Sequence, residues 1–274
     1  MARITFKISD EDRKRKELAP KTIRSAVNQF RKQGTLLVQN LFSKSLIQRL
    51  RKAYIENYCD LPMSELDRRF ACVGHNRYMI NVDLEPPFLS PSLYANPILD
   101  SLLNEWLGSE YVISSFGSVV AFAGSADQSI HVDYPPLFDS AEVCNALPPY
   151  AISVVLPLID LDDKTGATAV WPQSHTDPSS RDKLAGLVNG TDQSKPQIPY
   201  GKQGDALLMD MRLIHTGTAN ASDDARPLVY IVYARPWFNE QANFGEQPAI
   251  RISHRYLQKV PTRYRKLFSA AKPE

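Results

Sequence analysis

A series of short segments rich in β-branched and aromatic residues constrains the fold of this chain more than any other feature. Such residues favour strands, and the intervals between the segments carry Gly- and Pro-bearing turns in place of a long crossover helix. Short strands joined in this way favour a sandwich or jelly roll over a parallel α/β sheet. The predicted strands span residues 111–122, 151–158, 167–171, 205–210, 213–217 and 228–235.

The first part of the chain has helical patterns that predict a layer supporting this sheet. After Pro20, apolar residues recur at three- and four-residue steps, and Gly34 follows where the helix should end. Ser43 is placed to cap a second amphipathic helix, and residues 97–107 predict a third. Between them, residues 77–82 alternate like a half-buried strand in a loop-rich, proline-rich region.

The length and charge of the chain favour one large domain without affinity for nucleic acid. A chain of 274 residues with 43% hydrophobic content can bury a single large core, so we predict one domain over residues 1–274. Residues 1–19 are a candidate flexible segment, and 251–274 a helical tail. The formal net charge of +2 gives no strong field for polyanions. We interpret the basic tail as a solvated helical face or as a contact between two copies in a homodimer.

The lack of a recognisable targeting signal and the spacing of the cysteines predict a reducing, aqueous compartment. The N-terminus has no apolar signal-peptide core, and no run of about 18 apolar residues occurs. Three cysteines, without Cys-x-x-Cys spacing, predict neither a disulfide framework nor a thiolate metal site. The sequence therefore predicts a soluble cytoplasmic protein without a membrane partner.

A His-x-Asp motif at His131 and Asp133 is the first candidate for chemistry. In an extended segment, positions two apart point to the same face, so an imidazole nitrogen and a carboxylate oxygen would lie side by side. His215 is the best candidate for a third ligand. Two histidines and one carboxylate leave the other side of a metal open, which is the arrangement of non-haem Fe(II) oxygenases.

Arg226 indicates which kind of ligand would bind beside the metal. It begins the predicted strand that follows the His215 strand after a polar turn, and an antiparallel return would bring its guanidinium beside the metal. A buried Arg needs an anion, and its planar fork suits a carboxylate held by two hydrogen bonds. The distal carboxylate of 2-oxoglutarate is such a group, because its 2-oxo acid end chelates iron.

A further motif is Gly166-Ala167-Thr168, which leads into the turn 172–175. With these residues the chain resembles the phytanoyl-CoA dioxygenase-like family of Fe(II)- and 2-oxoglutarate-dependent oxygenases, from the first helix to about Trp237. The family's turn is Pro-Gly-Ser-His, and here Gln173 stands in place of Gly, which puts the shape of the turn in question. His175 belongs to this turn and is interpreted as structural.

The resemblance implies a double-stranded β-helix (jelly-roll, cupin-like) core, Fe(II), 2-oxoglutarate and O2. It implies His131, Asp133 and His215 as iron ligands and Arg226 as the clamp on the distal carboxylate. It also implies contacts from Gln128 and Thr168 to 2-oxoglutarate. Candidates for the substrate pocket are Tyr134, Arg77, Tyr78, Trp171, Trp237 and Phe238.

The expected reaction is oxidation of an unactivated C–H bond, foremost hydroxylation, with release of succinate and CO2. Asp133 occupies the position that iron halogenases of this fold leave to chloride, so desaturation or ring formation is preferred to halogenation. The substrate is expected to be a small or medium organic metabolite, such as a natural-product intermediate. Two alternatives remain: a jelly-roll Zn²⁺ or Mn²⁺ hydrolase or isomerase, and a non-catalytic binding module of the same fold.

Overall fold

Two sheets of unequal size organise the chain. The structure is a computed structural model that describes residues 4–134, 136–240 and 248–273. The strands are β1 (Thr5–Lys7), β2 (Thr35–Gln39), β3 (Ala71–Cys72), β4 (Arg77–Ile80), β5 (Val112–Ala121), β6 (Ala151–Pro157), β7 (Thr168–Val170), β8 (Ala206–Asp210), β9 (His215–Gly217) and β10 (Arg226–Ala234). Within the described residues, an eight-stranded sheet has the order β1-β2-β8-β6-β10-β5-β4-β3, and β7 pairs with β9 in a second sheet.

Local features of the sequence mark two of the helix ends. Gly34, with φ 72°, ends α2 (Pro20–Gln33), and the Ser43 hydroxyl accepts a hydrogen bond from Leu46 N at the start of α3 (Lys44–Tyr54), both as predicted. The helices are α1 (Asp10–Arg15), α2 (Pro20–Gln33), α3 (Lys44–Tyr54), α4 (Met63–Arg69), α5 (Pro91–Tyr94), α6 (Pro97–Leu107), α7 (Ala141–Ala146), α8 (Ser180–Asn189) and α9 (His254–Lys259), with a π-helical turn at Ile55–Cys59 and 3₁₀ turns at Ser174–Thr176 and Thr262–Phe268.

The two faces of the large sheet contact different partners. Because side chains alternate along a strand, Val229, Ile231 and Tyr233 of β10 point away from the small sheet and into the main core. This core also contains Phe30 of α2 and Trp106 of α6. Burying each such side chain contributes roughly 1.5–3 kcal/mol. The molecule is thus mainly β, with a jelly-roll core and an N-terminal helical layer, as the sequence predicts.

The inner face of the large sheet packs against the small one. Leu228 and Val155 of the large sheet share a second apolar cluster with Val170 of β7 and with Leu213, just before β9. This cluster fills only part of the space between the sheets. The remainder is a cavity, described below.

The two chain ends are attached to this core. β1 pairs in parallel with β2, and Ile4 and Ile8 are buried, so the described part of residues 1–19 forms a sheet edge in place of the flexible segment expected. The alternating apolar residues Ile4, Phe6 and Ile8 were the missed signal. In the tail, Val260 and Phe268 lie in the main core.

Two basic side chains of the tail bind other parts of the chain. Arg251 pairs with Asp83 at 2.8 Å, and Lys266 pairs with Glu110. Part of the tail's positive charge is therefore paired with carboxylates of the same chain. No helix in the described ranges combines the length and the apolar character that crossing a membrane requires.

The connection from β9 to β10 differs from the expected return. β9 pairs with β7 in the small sheet, whereas β10 pairs with β5 and β6 in the large one. The Asn220 side chain, which donates to Ala121 O and Asp224 O, holds the crossing segment against β5. Arg226 therefore faces the histidines from the opposite sheet.

Helix α8 lies in the interval between β7 and β8, where no helix was expected. It has two buried residues, Gly186 and Leu187, and exposes Val188. The apolar stripe that identifies a helix in sequence is therefore weak here.

Gly166, just before β7, provides a test of how the small sheet is held. Its φ is +70°, and an added Cβ would overlap the carbonyl oxygen of Ala219 and lie 2.7 Å from Thr218 Oγ1. We expect Gly166→Ala to lower the free energy of unfolding by about 2–4 kcal/mol, because left-handed strain adds to overpacking. Urea denaturation measures this difference.

Gly190 is the matched control for that substitution. It has φ +81° with nothing within 4 Å of an added Cβ, so Gly190→Ala carries the backbone strain alone. Its expected cost is about 1–2 kcal/mol. Equal losses in the two variants would show that the contact of Gly166 with Ala219 is unimportant.

Candidate metal centre and its cavity

His131, Asp133 and His215 meet at the small sheet. His131 is not part of a named strand, but its backbone exchanges two hydrogen bonds of 2.9 Å with His215. Asp133 Oδ1 lies 3.3 Å from His215 Nε2 and 3.9 Å from His131 Nε2. One ligand atom from each residue lies within 4.8 Å of the others. This spacing suits one metal ion held by two nitrogens and one oxygen.

Both imidazoles are oriented by the backbone. His131 Nδ1 lies 2.8 Å from the carbonyl of Ser129, and His215 Nδ1 lies 2.9 Å from the carbonyl of Leu213. A carbonyl only accepts, so each Nδ1 carries the proton and donates. Each Nε2 faces Asp133 and is the ring atom that can bind a metal, which is the usual way in which a metal-binding histidine is fixed.

Electrostatics favour the metal-binding forms of two of these groups. Burial raises the pKa of Asp133, but the charge and hydrogen bond of His215 and the charge of His131 lower it by more, so its pKa lies below the ordinary value. Burial and the charge of His215 lower the pKa of His131. Burial also lowers the pKa of His215, but the charge and hydrogen bond of Asp133 raise it by more. A bound metal would displace the proton from His215.

These three residues border a cavity of about 420 Å³ between the sheets. Its floor is the inner face of β4, β5, β6, β8 and β10, and its roof includes Gln128 to Asp133, β7 and β9. The volume is within the range of sites that enclose small organic ligands.

Arg226 lies at one end of this floor and is fully buried. Its Nε, Nη1 and Nη2 atoms have no hydrogen-bond partner among the described residues. Burial, together with the nearby charge of Arg77, lowers the pKa of Arg226 to about 9. A buried charge without a partner is destabilising, so this side chain indicates a site for an anion.

Arg77 lies at the same end of the cavity. Arg77 of β4 and Arg226 of β10 both pair with Ala121 of β5, so they share one face of the sheet. Arg77 Nη2 donates to Ala126 O at 2.8 Å and to Thr218 O at 2.9 Å. Its Nε and Nη1 are without partners within the described ranges. Burial lowers the pKa of Arg77 to about 10.

Gln128 and Thr168 converge on the same end around Gly217. Gly217 pairs with Thr168 across β7 and β9, and its carbonyl accepts from Gln128 N at 2.9 Å. A Cβ at position 217 would lie 2.8 Å from Arg77 Nη1 and would overlap Gln128 Oε1. Gly217, two residues after His215, therefore leaves space for both side chains, and its role was missed in the sequence.

Of the six residues predicted for the substrate pocket, only Arg77 lines this cavity in the described part of the chain. Tyr78 points to the opposite face, because neighbours along a strand alternate, and it donates to Asp67 at 2.6 Å. Trp171 packs on Leu187 and Ile214, and its Nε1 donates to Ser194 O at 2.9 Å.

The other three aromatic candidates lie beside the cavity. Tyr134 packs on Phe238, and Phe238 packs on Tyr150, with ring centroids 4.9 and 5.0 Å apart. Trp237 is 60% exposed and contacts Tyr150. Aromatic character alone did not distinguish residues of the core from residues of the cavity. Tyr230, which does line the cavity, was not predicted, although side chains alternate along β10 and it therefore shares a face with Arg226.

The turn 172–175 keeps the left-handed conformation that glycine would adopt. Gln173 has φ 74°. Ser174 Oγ accepts from Ile214 N at 2.9 Å, next to His215, and His175 Nε2 lies 3.1 Å from Arg31 O. An added Cβ at Gly34 would come within 2.5 Å of the His175 ring. The turn therefore packs β9 against α2, and His175 lies outside the metal triad.

Solved structures identify the fold. SnoN, the non-haem α-ketoglutarate-dependent epimerase from nogalamycin biosynthesis, matches with a TM-score of 0.59 and 15% identity over 79% of this chain and 84% of that one. HygX from Streptomyces hygroscopicus, solved with nickel, 2-oxoglutarate and hygromycin B bound, matches with a TM-score of 0.58 and 17% identity, over 79% of this chain and 89% of that one. The fold is therefore that of the non-haem, 2-oxoglutarate-dependent oxygenases.

Sequence comparison identifies the family. The model of phytanoyl-CoA dioxygenase (PhyH) matches residues 30–228, and the chain belongs to this dioxygenase family. Dioxygenase af480 of Aspergillus fumigatus is 23% identical over 158 residues, which are 56% of this chain and 47% of that protein. The match thus spans about half the length of that relative.

Proposed function

We propose that the protein is an Fe(II)- and 2-oxoglutarate-dependent dioxygenase that hydroxylates an unactivated C–H bond of a small or medium organic molecule, with release of succinate and CO2. The observation that carries this proposal is the buried, unpartnered Arg226 in the same cavity as the His131, Asp133 and His215 triad. An anion site and a metal site at that separation suit a ligand with two acidic ends.

His131, Asp133 and His215 would hold the iron. Together with 2-oxoglutarate and O2, bound iron supplies the oxidant that removes hydrogen from carbon. The protein fixes the two Nε2 lone pairs through the carbonyls of Ser129 and Leu213 and keeps Asp133 ionised. No general base is required for the hydrogen removal itself.

Arg226 would bind the distal carboxylate of 2-oxoglutarate. Gly217 lies two residues beyond His215, roughly 7 Å along the strand, which is comparable to the length of a five-carbon diacid. Gln128 and Thr168 lie beside Gly217 and would donate hydrogen bonds to the cosubstrate, and Arg77 adds positive charge. In this water-poor pocket such charge-assisted bonds are stronger than at a surface.

The same residues favour oxidation over the alternatives. Asp133 fills the ligand position that a halide would need, so hydroxylation, desaturation or ring formation is preferred. A hydrolase or isomerase with Zn²⁺ or Mn²⁺ would gain nothing from an unpartnered Arg226. A binding module would not need the three oriented ligands.

The structural neighbours support an organic metabolite as substrate. The HygX structure holds a metal, 2-oxoglutarate and hygromycin B together, and SnoN belongs to nogalamycin biosynthesis. By analogy, we propose a natural-product intermediate as one class of substrate for this chain. A cytoplasmic location and a homodimer stay predictions.

Turnover of 2-oxoglutarate tests the proposal. With Fe(II) in air, pooled metabolites that contain a substrate should stimulate succinate formation, and removal of O2 or chelation of iron should abolish it. A control with Zn²⁺ should form no succinate. Hydrolytic activity with Zn²⁺ and no succinate with Fe(II) would favour the metallohydrolase instead.

A further inference from the structure

The cavity has two chemically different ends. Asp133 N donates to Met211 O, whereas Gln128 N donates to Gly217 O, so the roof segment runs from the Gly217 side to the Met211 side. On the floor, Tyr230 lies four residues beyond Arg226 on the same face of β10, roughly 13 Å away. The metal triad therefore lies between an arginine end and a Tyr230 end.

The two arginines account for the positive charge of this cavity. Among the described residues that line it, Arg77 and Arg226 are the only Lys or Arg side chains, and both lie at the first end. If 2-oxoglutarate binds there, the substrate must reach the metal from the Tyr230 end.

Tyr230 lies across the floor at this second end. It pairs with Gly117 of β5, and a Cβ at position 117 would lie 2.5 Å from the Tyr230 hydroxyl oxygen and 2.9 Å from Ile80 O. The absence of a side chain at Gly117 thus lets the phenol extend over β5. Ser115, which pairs with Val232 on the same face, lies one step further along.

Both hydroxyl groups are available to a ligand. Tyr230 OH and Ser115 Oγ are buried without a hydrogen-bond partner within the described residues. Val232 and Met211, which also line the cavity, make the surroundings apolar. Leaving a buried hydroxyl unsatisfied is unfavourable, so a ligand oxygen placed there is stabilised.

The carboxylate of Glu240 disfavours an acidic group at this end. Glu240 lines the cavity together with Tyr230, and besides burial, the charge of Glu240 raises the pKa of Tyr230. A ligand carboxylate or phosphate bound there would be repelled by Glu240.

Resting on the proposed function, we propose that the Tyr230 end is the substrate subsite, where the hydroxyls of Tyr230 and Ser115 bind a hydroxyl or carbonyl oxygen of a largely apolar substrate that carries no acidic group at this point. Tyr230 and Ser115 orient that oxygen, and thereby the neighbouring C–H bond, toward the metal. They are positioning residues that select against acidic substrates.

Fragment binding tests this subsite without turnover. The probes are cyclohexanol, cyclohexanone and cyclohexanecarboxylate, measured by saturation-transfer NMR on protein loaded with Zn²⁺ and 2-oxoglutarate, a diamagnetic stand-in for the iron form. We expect the alcohol and the ketone to bind at least about fivefold more tightly than the acid. Tyr230→Phe should weaken cyclohexanol binding about five- to tenfold, the value of one hydrogen bond.

Tyr78→Phe is the matched control, because its hydroxyl lies on the opposite face of the sheet and bonds Asp67. It should leave fragment binding unchanged, and both variants should bind 2-oxoglutarate as the parent does. Absent alcohol binding, preferred binding of the acid, or an unchanged alcohol affinity in Tyr230→Phe would each overturn the subsite. Failure of 2-oxoglutarate to bind would instead overturn the proposed function, which the fragment preference does not measure.

Discussion

Replacing Arg226 with methionine should weaken 2-oxoglutarate binding about 100-fold or more and at the same time stabilise the ligand-free protein. The binding loss follows because a desolvated, charge-assisted pair is removed, which typically costs about 3–5 kcal/mol. The stability gain, about 1–3 kcal/mol, follows because a buried guanidinium without partners is exchanged for an apolar chain of similar length. Anaerobic calorimetry measures the first effect, and urea denaturation without ligand measures the second.

Arg212→Met is the matched control. Arg212 is also largely buried, but it pairs with Asp210 at 2.7 Å and donates to the carbonyls of Cys144 and Leu147. The same substitution should therefore destabilise the protein by about 3–5 kcal/mol. If Arg226→Met destabilised the ligand-free protein to the same extent, Arg226 would be a structural residue and not an anion site.

Asp133→Ala should reduce Fe(II) affinity about 100-fold or more and bring succinate formation below detection. The change removes one of three ligand groups, and the only one of the three that brings a negative charge to the metal. His131 and His215 keep their backbone hydrogen bonds, so the fold should be retained. Equilibrium dialysis against Fe(II) under nitrogen measures the affinity.

Asp127→Ala is the control for the loss of an acidic group near the site. Asp127 is exposed, and its Oδ1 accepts from Ala219 N rather than facing the triad. This variant should bind Fe(II) as the parent does. Unchanged Fe(II) binding by Asp133→Ala would show that Asp133 is not a metal ligand.

The sequence predicted best those features that depend on neighbours along the chain. Gly34 and Ser43 mark helix ends, because a left-handed residue and a capping hydroxyl act locally. Asp133 lies close to the histidines because positions two apart share a face and a second strand completes the set. Arg226 was expected beside His131, Asp133 and His215, and it lines the same cavity as they do, although from another sheet than predicted.

The features that the sequence did not reveal depend on packing between distant segments. The pairing of β9 with β7 is decided by contacts across the two sheets, which no local pattern records. The aromatic residues predicted for the substrate pocket do not line the cavity for the same reason. Trp171 and Tyr78 are residue types common in pockets, but their side chains face other layers of the fold. Tyr230 was overlooked although it shares a face of β10 with Arg226, because the sequence does not show how far along that face the cavity extends.

The most direct test of the central claim, that the triad and Arg226 form one iron and 2-oxoglutarate site, is an anaerobic titration of the protein with Fe(II) and 2-oxoglutarate. Chelation of iron by the 2-oxo acid should produce a visible charge-transfer band that saturates at one equivalent of each per chain. The band should be absent in Asp133→Ala and should require far more 2-oxoglutarate in Arg226→Met. Folded protein that binds Fe(II) but gives no band at saturating 2-oxoglutarate would contradict the claim.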